Sequence, residues 1–196
     1  MVLLDEKYWS DRYRSDLIGW DIGYASKPIV QYLDQIENKD IRVLIPGAGN
    51  AYEAYYAFEI GFKNVHVLDV SKVPLDRFQM SYPDFPRENL HHQNFFDHDG
   101  TYDLILEQTF FCALDPNLRE AYSQKMSSLL IPGGMLVGVL FERIFESQGP
   151  PFGGSKEEYL PFFKVLFEIK TFEKCYNSIT QRAGSELFIR LKKSKI

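Results

Sequence analysis

Two glycines and one carboxylate carry the first chemistry in this chain. Residues Arg42 to Asn50 read Arg-Val-Leu-Ile-Pro-Gly-Ala-Gly-Asn, so Gly47 and Gly49 follow directly on an apolar run. A second apolar run, Val65-His66-Val67-Leu68, closes on Asp69. A strand that breaks into Gly-x-Gly, then a helix, then a strand ending on an acid ~20 residues later is the first half of a nucleotide-binding βαβ unit. The glycines let the backbone turn sharply where a Cβ would collide with a ligand. The acid is placed to accept the hydroxyl protons of a ribose. The ligand class is an adenosine-containing cofactor.

Two such cofactors compete, a dinucleotide and S-adenosylmethionine. A dinucleotide turn wants G-x-G-x-x-G, with a free helix N-terminus for the pyrophosphate. Here Tyr52 stands where the third glycine belongs, and Glu53 puts a carboxylate into the first helical turn, which suits a phosphate poorly. A sulfonium cofactor carries no phosphate and tolerates acidic neighbours. S-adenosylmethionine is the better fit, with a dinucleotide-binding oxidoreductase as the alternative.

The longer motifs point the same way. They are Trp9 with Trp20, Trp20-Asp21-Ile22-Gly23, Ile45-Pro46-Gly47-Ala48-Gly49, Leu68-Asp69-Val70-Ser71, the stretch Phe110-Phe111-Cys112-Ala113-Leu114-Asp115-Pro116-Asn117-Leu118-Arg119, Leu130-Ile131-Pro132-Gly133-Gly134 and Gly149-Pro150-Pro151-Phe152. Over nearly its whole length the chain resembles the small-molecule methyltransferases grouped with thiopurine S-methyltransferase, nearest the plant halide/thiol branch. The resemblance implies a Rossmann-like class I methyltransferase fold, with a mostly parallel seven-stranded sheet, an antiparallel edge strand and helices on both faces. It also implies that Gly47 and Gly49 meet the methionine part of S-adenosylmethionine and that Asp69 holds the ribose. Asn94 and Phe95 fall where the family holds the adenine; Asp97 is close by, so that one of Asn94 and Asp97 is a turn residue, and Asn94 with Phe95 is the favoured pair. Gln108 stands where relatives place Arg or Tyr against the cofactor, and Trp9 and Trp20 fold over it as a lid formed by residues 1–26. Phe110, Phe111, Phe141 and Phe152, with Pro150 and Pro151, are candidates for a dry acceptor pocket. The plant branch carries Tyr where Phe141 stands, and the missing hydroxyl favours a thiol acceptor over a halide. A methyltransferase acting on a protein or nucleic acid is the other alternative, although such substrates usually need an added recognition element.

No catalytic triad, metal cluster or carboxylate pair stands out. Transfer to a soft, charged nucleophile needs alignment and removal of water more than a strong base. His91 and His92 are adjacent, so on a strand they point to opposite faces, and they read as edge or surface residues. Pro46 reads as a backbone feature.

These residues need elements to hold them. A chain of 196 residues with 45% hydrophobic and 25% charged residues is most simply one domain, residues 1–196. Sixteen Phe and 12 Tyr supply either a pocket lining or an aromatic core. A net charge of −5 argues against nucleic acid. No run approaches the ~18 apolar residues of a membrane span. The N-terminus has no signal-peptide pattern, and two cysteines, Cys112 and Cys175, fit reduced thiols. The expectation is a cytoplasmic monomer acting on a small molecule, with no membrane or nucleic-acid partner. Spacing predicts helices over 27–36, from Asn50 as cap with Glu53 as its capping-box partner to Gly61, from Ser71 to Met80, and over 117–130. Strands are expected at 42–45, 65–68, 90–93, 103–106, 135–140, 167–172 and 186–191. Pro132-Gly133-Gly134 reads as a helix stop, residues 148–155 as a loop, and residues 1–22 as aromatic without strong periodicity. Alternating strand and helix to residue 140 means a parallel sheet.

Overall fold

The computed structural model describes residues 3–146 and 149–194. Its apolar runs form β1 (Arg42–Pro46), β2 (Asn64–Asp69), β3 (Leu90–His92), β4 (Tyr102–Gln108) and β5 (Leu130–Phe141), followed by β6 (Phe167–Lys174) and β7 (Glu186–Lys193). They make one sheet of order β3-β2-β1-β4-β5-β7-β6. Pairings from β3 through β5 are parallel, and β7 runs antiparallel to both β5 and β6. The reversed strand is therefore one place in from the edge, and β6 closes that edge by antiparallel pairing.

Successive residues of the central strands face two different cores. On one face Val43, Ile45, Val65 and Val67 meet Ile29 and Leu33 of α2 (Lys27–Asp34), Ala54 and Ala57 of α3 (Tyr52–Glu59), and Leu75 and Phe78 of α4 (Lys72–Ser81). On the other face Leu44, Leu68, Ile105 and Leu136 meet Tyr122 and Met126 of α5 (Arg119–Leu129), and Tyr159 and Phe163 of α6 (Lys156–Phe163). Burial on both sides is why these strands read as continuous apolar runs rather than alternations. The chain reverses its direction of sheet growth between β1 and β4, and the cleft at that switch, beyond the carboxyl ends of the strands, is where open α/β sheets bind ligands.

Three local expectations are corrected, and one helix is added. The segment before residue 22 contains a helix, α1 (Glu6–Arg14), whose N-cap Asp5 accepts from the Tyr8 amide. The predicted capping box does not form: Ala51, in left-handed conformation at φ 54°, precedes α3, while Asn50 donates to Asp21 and Glu53 accepts from the Ser26 amide at 2.8 Å. Tertiary partners have taken both groups. The Pro132-Gly133-Gly134 stop lies inside β5, as a bulge between the pairs Tyr102–Leu130 and Leu104–Met135. Finally, α6 follows the Gly/Pro-rich loop, with Ser155 as its N-cap.

Candidate functional site

A cavity of about 1130 Å³ opens at the switch point, under the N-terminal segment. Its floor is the β1–α3 turn. Gly47 has φ +58°, and a Cβ there would lie 2.1 Å from the Phe110 ring. Gly49 has φ +54°, and its Cβ would lie 2.7 Å from the Tyr13 hydroxyl. Both glycines are therefore required twice over, by backbone sign and by the aromatic groups laid against them.

Asp69 sits at the end of β2, 6% exposed. One oxygen accepts from the Gly49 amide at 3.0 Å and the other from the Ser71 amide at 2.8 Å. The carboxylate thus fixes the glycine turn and the start of α4, and retains lone pairs for a ligand in the cavity. Burial raises its pKa to about 6, against the pull of those two amides.

The wall opposite is the β4 turn. Gln108 lines the cavity, and its Oε1 is buried with no hydrogen-bond partner among the described residues. An orphaned acceptor costs about 1–3 kcal/mol unless something occupies it, so it marks a place for a donor. Behind it Glu107 is fully buried, with one oxygen accepting from the Phe110 and Phe111 amides at 2.8 and 3.0 Å and the other from the Tyr122 hydroxyl. Burial pushes its carboxyl up to about 7. Glu107 thereby presets the turn that lays Phe110 on Gly47 and aims Gln108 into the cavity.

The N-terminal segment forms the cover. Ser10 bonds Ser71 at 2.8 Å, Arg77 donates to the Tyr13 carbonyl at 2.7 Å, and Arg182 donates to the Trp20 carbonyl at 2.7 Å. Trp20 packs edge-on against both Trp9 and Tyr13. Asp21 accepts from Asn50 and from the Tyr52 hydroxyl, stitching the cover to the glycine turn.

Eight residues expected to hold the cofactor face this one cavity: Trp9, Trp20, Gly47, Gly49, Asp69, Asn94, Phe95 and Gln108. Asn94 also caps a short 3₁₀ turn by accepting from the Phe96 amide at 2.9 Å. Its neighbour Phe95 is buried with its ring edge-on to Phe110. The orphaned Gln108 oxygen, the polar end of Asp69 and the glycine turn suit a molecule with amino and hydroxyl donors. Those are the groups S-adenosylmethionine carries.

A model of the thiopurine S-methyltransferase family matches residues 4–188. The chain belongs to that family. It is an S-adenosylmethionine-dependent methyltransferase, and the dinucleotide alternative falls. Among relatives, a probable thiol methyltransferase 2 of Arabidopsis thaliana is 30% identical, over 95% of this chain and 84% of its own length. Thiocyanate methyltransferase 1 of the same plant is 28% identical, over 97% and 86%. Among solved structures, the 1,6-didemethyltoxoflavin-N1-methyltransferase of Burkholderia thailandensis, with its substrate and S-adenosylhomocysteine bound, superposes with a TM-score of 0.75. It is 17% identical, over 97% of this chain and 87% of its own, a likeness of fold.

The acceptor side of this methyltransferase differs in part from expectation. Phe110 and Phe141 line the cavity, as do Pro150 and Pro151, but Phe111 and Phe152 do not. Phe111 is 1% exposed and packs edge-on against Tyr122 and Tyr159, so it belongs to the core between the sheet and α5–α6. Phe152 anchors its loop by donating its amide to the Cys112 carbonyl at 2.7 Å. Tyr13, Asp21, Glu107, Arg143 and Arg182 were not singled out from sequence. Asp21 stands in the quoted Trp20-Asp21 motif, and Glu107 is an acid inside an apolar strand, which is a readable signal. Arg182 sits in a polar turn that offers none. His92 is exposed beside Glu6, whereas His91 is half-buried and shares a 3.0 Å contact with His66.

Proposed function

We propose that this methyltransferase S-methylates a small organic thiol. The observation that carries the reading is the cavity itself. At about 1130 Å³ it exceeds the ~300–1,000 Å³ of an ordinary ligand pocket, which leaves space beside the cofactor for an acceptor with a body of its own. A halide is a single atom and needs no such space. The name of the thiol methyltransferase relative supports the same acceptor class.

S-adenosylmethionine supplies an electrophilic methyl group on a sulfonium, which a thiolate sulfur takes in an in-line displacement. The chain's residues bind, orient and exclude water. Gly47, Gly49, Asp69, Gln108, Asn94 and Phe95 hold the cofactor, and residues 1–26 form a lid whose Trp9 and Trp20 offer ring faces to a cation. Phe110, Phe141, Pro150 and Pro151 make the acceptor wall apolar. Cys112 lies on that wall, but burial pushes its thiol far up and it donates to the Thr109 carbonyl, so it stays protonated. Glu107 is sealed behind the wall. The acceptor therefore arrives as its own thiolate, stripped of water rather than deprotonated by a side chain. The working unit is a monomer of one domain, residues 1–196, in the cytoplasm, with no nucleic-acid or membrane partner. No helix among the described residues is long and apolar enough to cross a membrane.

Phe141→Tyr tests the acceptor wall. The hydroxyl gives a small anion a donor, so the iodide-to-thiol ratio of kcat/KM should rise several-fold. An unchanged ratio removes Phe141 from the acceptor site.

A further inference from the structure

The acceptor wall ends in a paired arrangement of cations on rings. Phe141 and Phe145 meet edge-on, with centroids 5.1 Å apart. The Arg182 guanidinium lies over the Phe141 ring at 5.3 Å, and that of Arg143 over the Phe145 ring at 4.7 Å. All four side chains line the cavity. The Arg143 backbone is pinned, since its carbonyl accepts from the Gly154 amide at 3.0 Å, so the side chain is tethered at the rim.

Among the described residues, no carboxylate that lines the cavity lies within ion-pair distance of either guanidinium. The carboxylates lining the cavity are Asp5, Glu6, Asp21, Glu53, Asp69 and Asp115, and each has a partner elsewhere: the Tyr8 amide, His92, Asn50, the Ser26 amide, the Gly49 amide and the Asn117 amide. Arg182 reaches one acid, Glu186, through a single nitrogen at 3.5 Å. Among the described residues Arg143 has no acid within ion-pair distance. Two guanidinium groups held over neighbouring aromatic rings, one of them without an acid, are donors of the kind a carboxylate or a similar planar anion takes.

We propose that the acceptor is a thiol bearing a second, anionic group, which Arg143 and Arg182 grip across the Phe141–Phe145 pair. The inference rests on the thiol reading above and adds the chemical class of the acceptor's tail. The sulfur attacks as thiolate in every thiol acceptor, so the tail alone distinguishes this class.

The test compares matched thiols that differ only in the tail. A carboxylate-bearing benzenethiol is set against its primary amide, and 3-mercaptopropionate against 3-mercaptopropanamide, each with S-adenosylmethionine. Wild type should favour the acid in kcat/KM by roughly tenfold or more, the effect of one charge-assisted contact. Arg143→Gln should lower that acid-to-amide ratio by about tenfold, and Arg143→Lys should restore part of it. Arg182→Lys should lower it too, but Arg182 also holds the Trp20 carbonyl, so Arg143 is the primary position. Equal use of acid and amide by wild type, with both methylated, overturns the inference and leaves thiol methylation standing. An acid preference that survives Arg143→Gln and Arg182→Lys overturns the assignment of these residues. If no thiol of either pair is methylated, the thiol reading fails and this inference fails with it.

Discussion

Asp69→Ala should weaken cofactor binding and the fold together, and the two losses can be separated. In the folded protein the Asp69 carboxylate accepts from the Gly49 and Ser71 amides at 3.0 and 2.8 Å. Truncation orphans two buried donors, at about 1–3 kcal/mol each, so the variant should lose about 2–6 kcal/mol of unfolding free energy. On the proposed role of Asp69, binding loses the ribose contacts as well. One charge-assisted bond is worth about 1.5–3 kcal/mol, so the Kd for S-adenosylhomocysteine should rise at least tenfold. The pH dependence has a definite sign. Burial holds the Asp69 proton to about pH 6, whereas the unfolded chain releases it near 3.8. The folded state binds the extra proton between those values, so this group's stabilising contribution is complete below pH 3.8 and is lost as pH rises through 6. The loss is about 3 kcal/mol. Cofactor binding runs the other way, tightening from pH 5 to 7 as the better acceptor, the carboxylate, forms. Urea unfolding gives the stability, and calorimetric titration well below the unfolding transition gives the Kd. An Asp69→Ala protein that stays folded and binds S-adenosylhomocysteine as tightly as wild type would refute the reasoning.

Two further outcomes follow from the site. Glu107, held up at about 7 by burial, makes wild type lose stability as pH rises from 4.5 through 7, and Glu107→Gln should flatten that part of the curve while its amide oxygen still receives the Phe110 and Phe111 amides. Urea melts at pH 5 and 8 check this, and an identical slope in the variant counts against it. Trp9 and Trp20 are the chain's two tryptophans and both lie in the proposed lid, so their emission should shift on saturation with S-adenosylhomocysteine. An unmoved spectrum removes the lid.

The parts of this fold that were readable in the sequence are those set by neighbours along the chain. The turn at Gly47 and Gly49 and the carboxylate at Asp69 are such features, because backbone sign and strand length fix them locally. Tertiary partners undid other local signals. Asn50 and Glu53 have the spacing of a capping box, yet Asp21 and the Ser26 amide, distant in sequence, hold them instead. Helix α6 opens with Ser155 and Glu158 at capping distance, but Pro161 within it hides the pattern. The place of β7 between β5 and β6 is a matter of long-range pairing that no local run encodes. In the site, Phe111 and Phe110 are adjacent and chemically alike. Both amides donate to the Glu107 carboxylate, yet one ring meets Gly47 and the other enters the core, a difference set by the tertiary packing and not by residue type.

The thiol acceptor is the central claim, and a direct competition tests it. The protein is incubated with S-adenosylmethionine and equal concentrations of a small organic thiol and iodide, and the methylated products are quantified by mass spectrometry. The account predicts a methyl thioether as the main product, formed in step with S-adenosylhomocysteine. Methyl iodide as the main product, or S-adenosylhomocysteine formed without methylation of the thiol, would contradict it.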